Sequence, residues 1–304
     1  MKHILGVSLG SSERDFDVTV AIGGEQVRLQ RLGTDSDTQR FAHLLEQYDG
    51  KVDAFGFGGG DVYVSSVGRR YTWRRELQLA QHARLTPVLD GSGLKNTIER
   101  ETIRRLQQQG TIDFQRARTL LVCAVDRFGM AEALVETGGE VIFGDLIFAL
   151  GLPLPARRLR TIALLARVLL PIMTRCPQRW FYPTGKKQKE IVPRHGLWFA
   201  WANVVCGDFH FIRRNLPLNL AGKAIVTNTT TPRDVELLRE RGLRLLVTTT
   251  PELQGRSPGT NIMEALVVAL AGKPPEQMTP EDYMQVLDRM GWQPRVTYLT
   301  PEAA

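Results

Sequence analysis

From residue 119 onward, short runs of buried-type residues alternate with helix-length segments, and this alternation restricts the fold more than any other feature. Residues 119–124, 140–143, 203–206, 223–227 and 243–247 read as strands; residues 128–137, 157–173, 232–241 and 260–271 read as helices. Strands that are apolar without alternation need cover on both faces, so the helices must flank a mostly parallel sheet. Residues 116–275 therefore read as a Rossmann-like, three-layer domain with an irregular insertion at about 174–202. A last helix at 280–290, capped by Thr279 with Pro280 at its first position, opens a C-terminal helix and tail, 276–304. Residues 1–115 read differently. A strand at 4–9, a hairpin turning at Gly23-Gly24, a helix at 35–47, strands at 53–57 and 86–89 and a helix at 94–108 make a mixed-sheet α/β domain suited to hold a substrate.

Composition excludes several classes. The apolar share of 43% is ample for packed cores. Cys123, Cys176 and Cys206 have neither the number nor the spacing of a disulfide framework or a zinc site, and no metal is expected. The chain carries 39 Lys and Arg against 32 Asp and Glu, a formal charge of +7. The basic residues are scattered, so the nucleic-acid signal is weak and an anionic or polyhydroxylated small molecule is the expected partner. The apolar stretches at 141–155 and 161–173 are interrupted by Asp145, Pro153 and Arg167, which leaves no transmembrane segment. The amino terminus lacks a signal-peptide pattern, and a cytoplasmic location is expected. Pro153, Pro155, the helix at 160–170 and Trp180, Phe181, Tyr182, Trp198, Phe199 and Trp201 make up apolar surface expected to be buried or to form a homodimer contact.

The polar residues collect at strand ends, where open α/β sheets bind ligands. These ends read Gly58-Gly59-Gly60-Asp61, Asp90-Gly91-Ser92-Gly93-Leu94-Lys95-Asn96, Asp126-Arg127-Phe128-Gly129, Gly144-Asp145, Gly207-Asp208-Phe209-His210, Asn228-Thr229-Thr230-Thr231 and Thr248-Thr249-Thr250. Each alone suits a turn or a cap. Together they suit a ligand with many oxygens. Against a dinucleotide fingerprint, Ala124 and Asp126 replace the first two glycines and only Gly129 matches, yet Asp145 stands where an acid would meet a ribose. Residues 183–187 have a Gly-Lys step without the rest of a P-loop, and Gly10-Ser11-Ser12 has the look of a kinase phosphate turn without its aspartate. Asp208 and His210, two apart, suit an acid–base pair or one side of a metal site.

The strings Val7-Ser8-Leu9-Gly10-Ser11-Ser12, Asp90–Thr97, Ala124–Ala133, Gly207–His210, Asn228–Thr231, Thr248–Pro251 and Gly259–Ala265 resemble a bacterial family labelled quinate 5-dehydrogenase, over roughly residues 3–290. That resemblance implies NAD- or NADP-linked oxidation of a carboxylated polyol by a substrate domain followed by a nucleotide domain. On this reading Lys95 assists proton transfer, Asp90 orients it and His210 is the alternative base. Ser11 and Ser12 hold the substrate carboxylate, with Ser92, Asn96, Asp126 and Asp208 as further substrate contacts. Asp145 binds the cofactor ribose, and Gly129, Asn228, Thr229, Thr230, Thr248, Thr249 and Asn261 line the cofactor cleft. Two other readings stay open: a non-redox enzyme acting on a phosphorylated or sugar-like ligand, and a binding or regulatory protein without catalysis.

Overall fold

A computed structural model describes residues 1–22, 24–181, 190–251 and 257–300. In the strand β1 (Lys2–Ser8) every residue from Ile4 onward is buried. A strand buried on both faces belongs in the middle of a covered sheet, and β1 is the third of five. The first lobe contributes β2 (Phe16–Ile22), β3 (Glu25–Gly33), α1 (Thr38–Tyr48), β4 (Ala54–Gly58), β5 (Tyr63–Ser66), β6 (Arg69–Thr72), α2 (Arg74–Ala80), β7 (Val88–Leu89) and α3 (Ser92–Gln108). Its sheet runs β2-β3-β1-β4-β7, parallel apart from the β2–β3 hairpin, with β5 and β6 forming a separate antiparallel pair. Gly23, at the expected hairpin turn, lies outside the described residues.

The second lobe contains β8 (Arg118–Leu121), α4 (Phe128–Glu136), β9 (Glu140–Phe143), α5 (Asp145–Phe148), α6 (Leu159–Met173), α7 (Gly196–Trp201), β10 (Val204–Gly207), α8 (Phe209–Arg214), β11 (Ala224–Thr227), α9 (Pro232–Glu240) and β12 (Leu245–Thr248). After it come α10 (Thr260–Ala271), α11 (Pro280–Arg289) and β13 (Arg295–Tyr298). The sheet order is β13-β12-β11-β10-β8-β9, parallel except for β13 at one edge. The architecture is thus the expected mixed-sheet lobe followed by a mostly parallel one.

The packing departs from a division at residue 275. Ile262 through Ala269 of α10 are all buried, and they join Ile4, Ala54 and Leu89 of the first sheet in one core together with Tyr283 and Leu287 of α11. A helix apolar on nearly every side needs cover all round, and the first sheet supplies it. Gly6 in β1 makes the approach possible: a Cβ there would lie 2.6 Å from Ile262 Cδ1. β13 then returns to the second sheet, so the chain passes between the lobes three times. The helix α3 is shared as well, with Leu94 and Ile98 in the first core and Ile103 and Leu106 in that of the second lobe.

Within 174–202, Phe199 is fully buried, Trp198 and Trp201 pack against the second core, and Phe181 stacks near Trp73 at 6.2 Å. Trp180 is 66% exposed. Tyr182 and the 183–187 loop lie outside the described residues. No helix among the described residues is long and apolar enough to cross a membrane.

Candidate functional site

Both sheets direct their carboxyl ends to one opening. In the second sheet β9 lies on one side of β8 and β10 on the other, so the order in which strands are laid down reverses between β8 and β10, where such sheets bind ligands. Asp126 follows β8 and Asp208 follows β10. In the first sheet β1 and β4 end side by side at Ser8 and Gly58. A cleft of about 540 Å³ lies between these ends, lined from the first lobe by Ser8, Arg14, Arg31, Asp61 and Lys95 and from the second by Asp126, Asp208, His210 and Asn228–Thr231. Thr260 and Asn261, at the start of α10, and the nearby Ser257 complete it.

At its floor Lys95 Nζ lies 3.0 Å from both carboxylate oxygens of Asp126 and 3.3 Å from Asp61. Burial works against the ammonium, but the Asp126 and Asp61 carboxylates outweigh it, and the Lys95 pKa is raised. Burial pushes Asp61 up to about 7 against the pull of Lys95, with Asp126 and Asp90 adding to the rise. Asp126 is raised by burial in the same way. A second buried cluster lies alongside. Arg127, 1% exposed, pairs with the fully buried Glu99 of α3 and with Asp208 at 3.1 Å. Asp208 also caps α8, accepting from the His210 amide at 2.8 Å, and accepts from Asn228 Nδ2 at 3.2 Å. Burial alone would raise the Asp208 pKa; His210, Arg127 and the cap bond reverse that and leave it lowered. Burial lowers the pKa of His210 on the cleft wall, against the pull of the Asp208 carboxylate.

The candidate residues divide. Lys95, Asp90, Asp126, Asp208, His210, Asn228, Thr229, Thr230 and Asn261 all line the cleft. Asp90 holds the turn before α3, accepting from Tyr63 N at 2.6 Å and Ser92 N at 2.9 Å; the carboxylates on Lys95 are those of Asp61 and Asp126. Ser92 is buried as the first residue of α3. The Asn96 side chain accepts from Gly129 N at 2.8 Å and donates to Ser65 O at 3.1 Å. Ser12 Oγ donates to Asp35 at 2.7 Å and Ser11 caps a short 3-10 turn, so both are consumed in local structure. Thr248, the last residue of β12, and Thr249 after it are both buried, and Thr249 O accepts from Trp292 Nε1 at 2.8 Å.

The cofactor assignments do not survive this geometry. A Cβ on Gly129 would stand 2.2 Å from Asn96 O, so this glycine serves the contact of α4 with α3, where a pyrophosphate was expected. Asp145 accepts from the Ala124 and Val125 amides at 3.0 and 2.8 Å, pinning the loop it was expected to serve as a ribose anchor. Its pKa rises to about 6 through burial, opposed by those two bonds. Lys95 is held between the Asp126 and Asp61 carboxylates, which favour its ammonium form, whereas a role in taking up a proton needs a lowered pKa. Among the described residues no group of three His, Cys, Asp or Glu could hold a metal ion.

Asp61 and Arg127 stand among the polar strand ends read from the sequence but received no role there, and Arg14, Arg31, Ser257 and Thr260 were given none either. The hydroxyls of Ser257 and Thr260 are buried and have no hydrogen-bond partner among the described residues, and Thr260 is only 8% exposed.

Two family models match the chain, one described as Domain of unknown function (DUF8754) over residues 93–299 and one as Domain of unknown function (DUF8753) over residues 3–90. No curated protein matches it. Among solved structures, it is similar to an ABC-transporter solute-binding protein from Burkholderia multivorans at 10% identity and TM-score 0.39, covering 97% of this chain and 99% of that one. The periplasmic arabinose-binding component from Shewanella sp. ANA-3 is 10% identical with TM-score 0.37, covering 95% and 96%. The NAD-dependent malic enzyme from Thermotoga maritima is 12% identical with TM-score 0.37, covering 95% and 84%. Binding proteins of transporters predominate among these structures, where the resemblance implied quinate dehydrogenases. Neither family model is described as a dehydrogenase, so the quinate 5-dehydrogenase resemblance is corrected to membership of a family of unknown function, and the oxidoreductase activity, the NAD or NADP cofactor and the separately expected cytoplasmic location are not carried forward.

Proposed function

Since the chain belongs to the DUF8754 family, whose model spans 93–299, we propose that it binds a small polyhydroxylated molecule in the cleft between its lobes without transforming it. The observation that carries this reading is the pair of buried hydroxyls on the cleft wall, Thr260 and Ser257, that have no hydrogen-bond partner among the described residues. An unsatisfied buried hydroxyl costs about 1–3 kcal/mol, and a ligand hydroxyl would satisfy it. The rest of the lining suits the same partner. Asp61, Asp126 and Asp208 accept, Lys95 donates, and Asn228, Thr229 and Thr230 do both. A sugar or cyclitol hydroxyl donates and accepts at once, so it meets this mixture of carboxylates, cations, amides and hydroxyls. The cleft volume falls in the usual range for small-molecule sites, roughly 300–1,000 Å³.

Titration calorimetry against pentoses, hexoses, cyclitols and their phosphates tests the proposal. A neutral polyol is expected to bind, and Thr260→Val is expected to weaken it by about tenfold while leaving the empty protein as stable or more so. Binding only of phosphorylated members, or equal affinity in Thr260→Val, overturns it.

A further inference from the structure

The helix α6 has two faces of opposite use. Ile162, Ala166 and Leu170 are buried in the body of the lobe. On the other side Leu164, Val168 and Ile172, spaced four apart, are 63%, 56% and 61% exposed. Arg160 and Arg167 lie on the same side, one turn from Leu164, and Arg175 follows one turn after Ile172; all three are exposed. None of these arginines has a carboxylate partner among the described residues, and the sequence contains no Asp or Glu between Asp145 and Glu190. Leu152 and Leu154, just before the helix, and Trp180, just after it, are exposed as well. Single exposed apolar residues need no explanation, but a stripe of them does.

We propose that the outer face of α6 docks on an anionic lipid surface. Apolar side chains that stand out from a helix, flanked by unpaired arginines, suit the boundary between headgroups and acyl chains, where leucines enter the apolar layer and guanidinium groups meet phosphates. A second copy suits the face poorly. A twofold contact sets the patch against itself, and here that would bring the arginines of one α6 against those of the other, with no carboxylate on either helix. The helix α6, Leu159–Met173, is too short to cross a bilayer.

Cosedimentation with vesicles decides the matter. The intact protein is expected to pellet with phosphatidylcholine vesicles containing phosphatidylglycerol, to stay in solution with phosphatidylcholine alone, and to be released by added salt. Leu164→Ser with Ile172→Ser, and separately Arg160→Glu with Arg167→Glu, are expected to weaken partitioning about tenfold or more. Arg233→Glu with Arg289→Glu, which makes the same charge change elsewhere on the surface, is expected to weaken it far less. All these side chains are exposed, and unchanged thermal unfolding confirms folding of each variant. Absence of pelleting at low salt, equal loss in the Arg233/Arg289 control, or sedimentation as a dimer that the α6 variants dissociate overturns the proposal.

Discussion

Glu264 sits one turn into α10, where its carboxylate accepts from Gly91 N at 2.6 Å and from the Tyr283 hydroxyl at 2.9 Å. Burial raises its pKa from 4.5 to about 7, with Asp90 adding to the rise and the two hydrogen bonds opposing it. The folded protein therefore holds a proton that the unfolded chain releases between those values. The associated stability is complete below about 4.5 and is lost as the pH rises through about 7. Asp61 and Asp145, also raised, act in the same direction. Urea unfolding at about pH 5 and about pH 8 is expected to show lower stability at the higher pH, and Glu264→Gln to narrow the gap by on the order of 2–3 kcal/mol. An unchanged gap would remove Glu264 as its source. None of this was legible in the string Thr-Asn-Ile-Met-Glu-Ala, because the partners of Glu264 come from a loop 173 residues away and from α11. Lys95 was legible as a polar residue after a glycine turn, but its fixed charge depends on Asp61 and Asp126, brought from two other loops.

Among the elements, those governed by local chemistry could be read and those governed by distant packing could not. The capping boxes of α9 and α11, with Thr231 over Asp234 and Thr279 over Asp282, are short-range patterns, and both helices begin where expected. The pair β5–β6 and the helix α2 were not resolved from sequence. They are organised around Trp73, whose fully buried ring packs with Val64 and with Ala166 and Leu170 of α6, about a hundred residues on. The contact of α3 with α4 gives a test at this scale. Replacing Gly129 by Ala within a helix would gain about 1 kcal/mol of propensity. The new Cβ, 2.2 Å from a backbone oxygen, cannot be relieved by a side-chain rotation. Overpacking of this kind costs about 1–3 kcal/mol, so Gly129→Ala is expected to lower the urea midpoint. A raised midpoint would show that the helices separate without cost.

At the scale of the molecule, Arg127 is a buried cation that joins the second lobe to α3 through Glu99, beside the Lys95–Asp126 pair. Removing it leaves Glu99, fully buried, with a charge and no counterion, a situation that costs about 3–5 kcal/mol. Arg127→Met is expected to lose stability of that order by urea unfolding, and Arg127→Met with Glu99→Gln to recover much of it. Equal losses in the single and double variants would show that the pair carries no special weight. Two layered α/β lobes with a site at their facing edges were foreseeable from the strand–helix alternation and the polar strand ends. The return of α10 to the first lobe was not, because an apolar helix read from sequence does not say which sheet will cover it.

The threefold passage of the backbone has a practical consequence for anyone dividing this gene. A fragment ending near residue 115 would leave bare the patch around Ile4, Ala54 and Leu89 that Ile262 and Leu266 ordinarily cover. The remainder would carry those greasy side chains with nothing to rest on. Neither piece is expected to fold unaided, and the two halves are expected to need each other while folding.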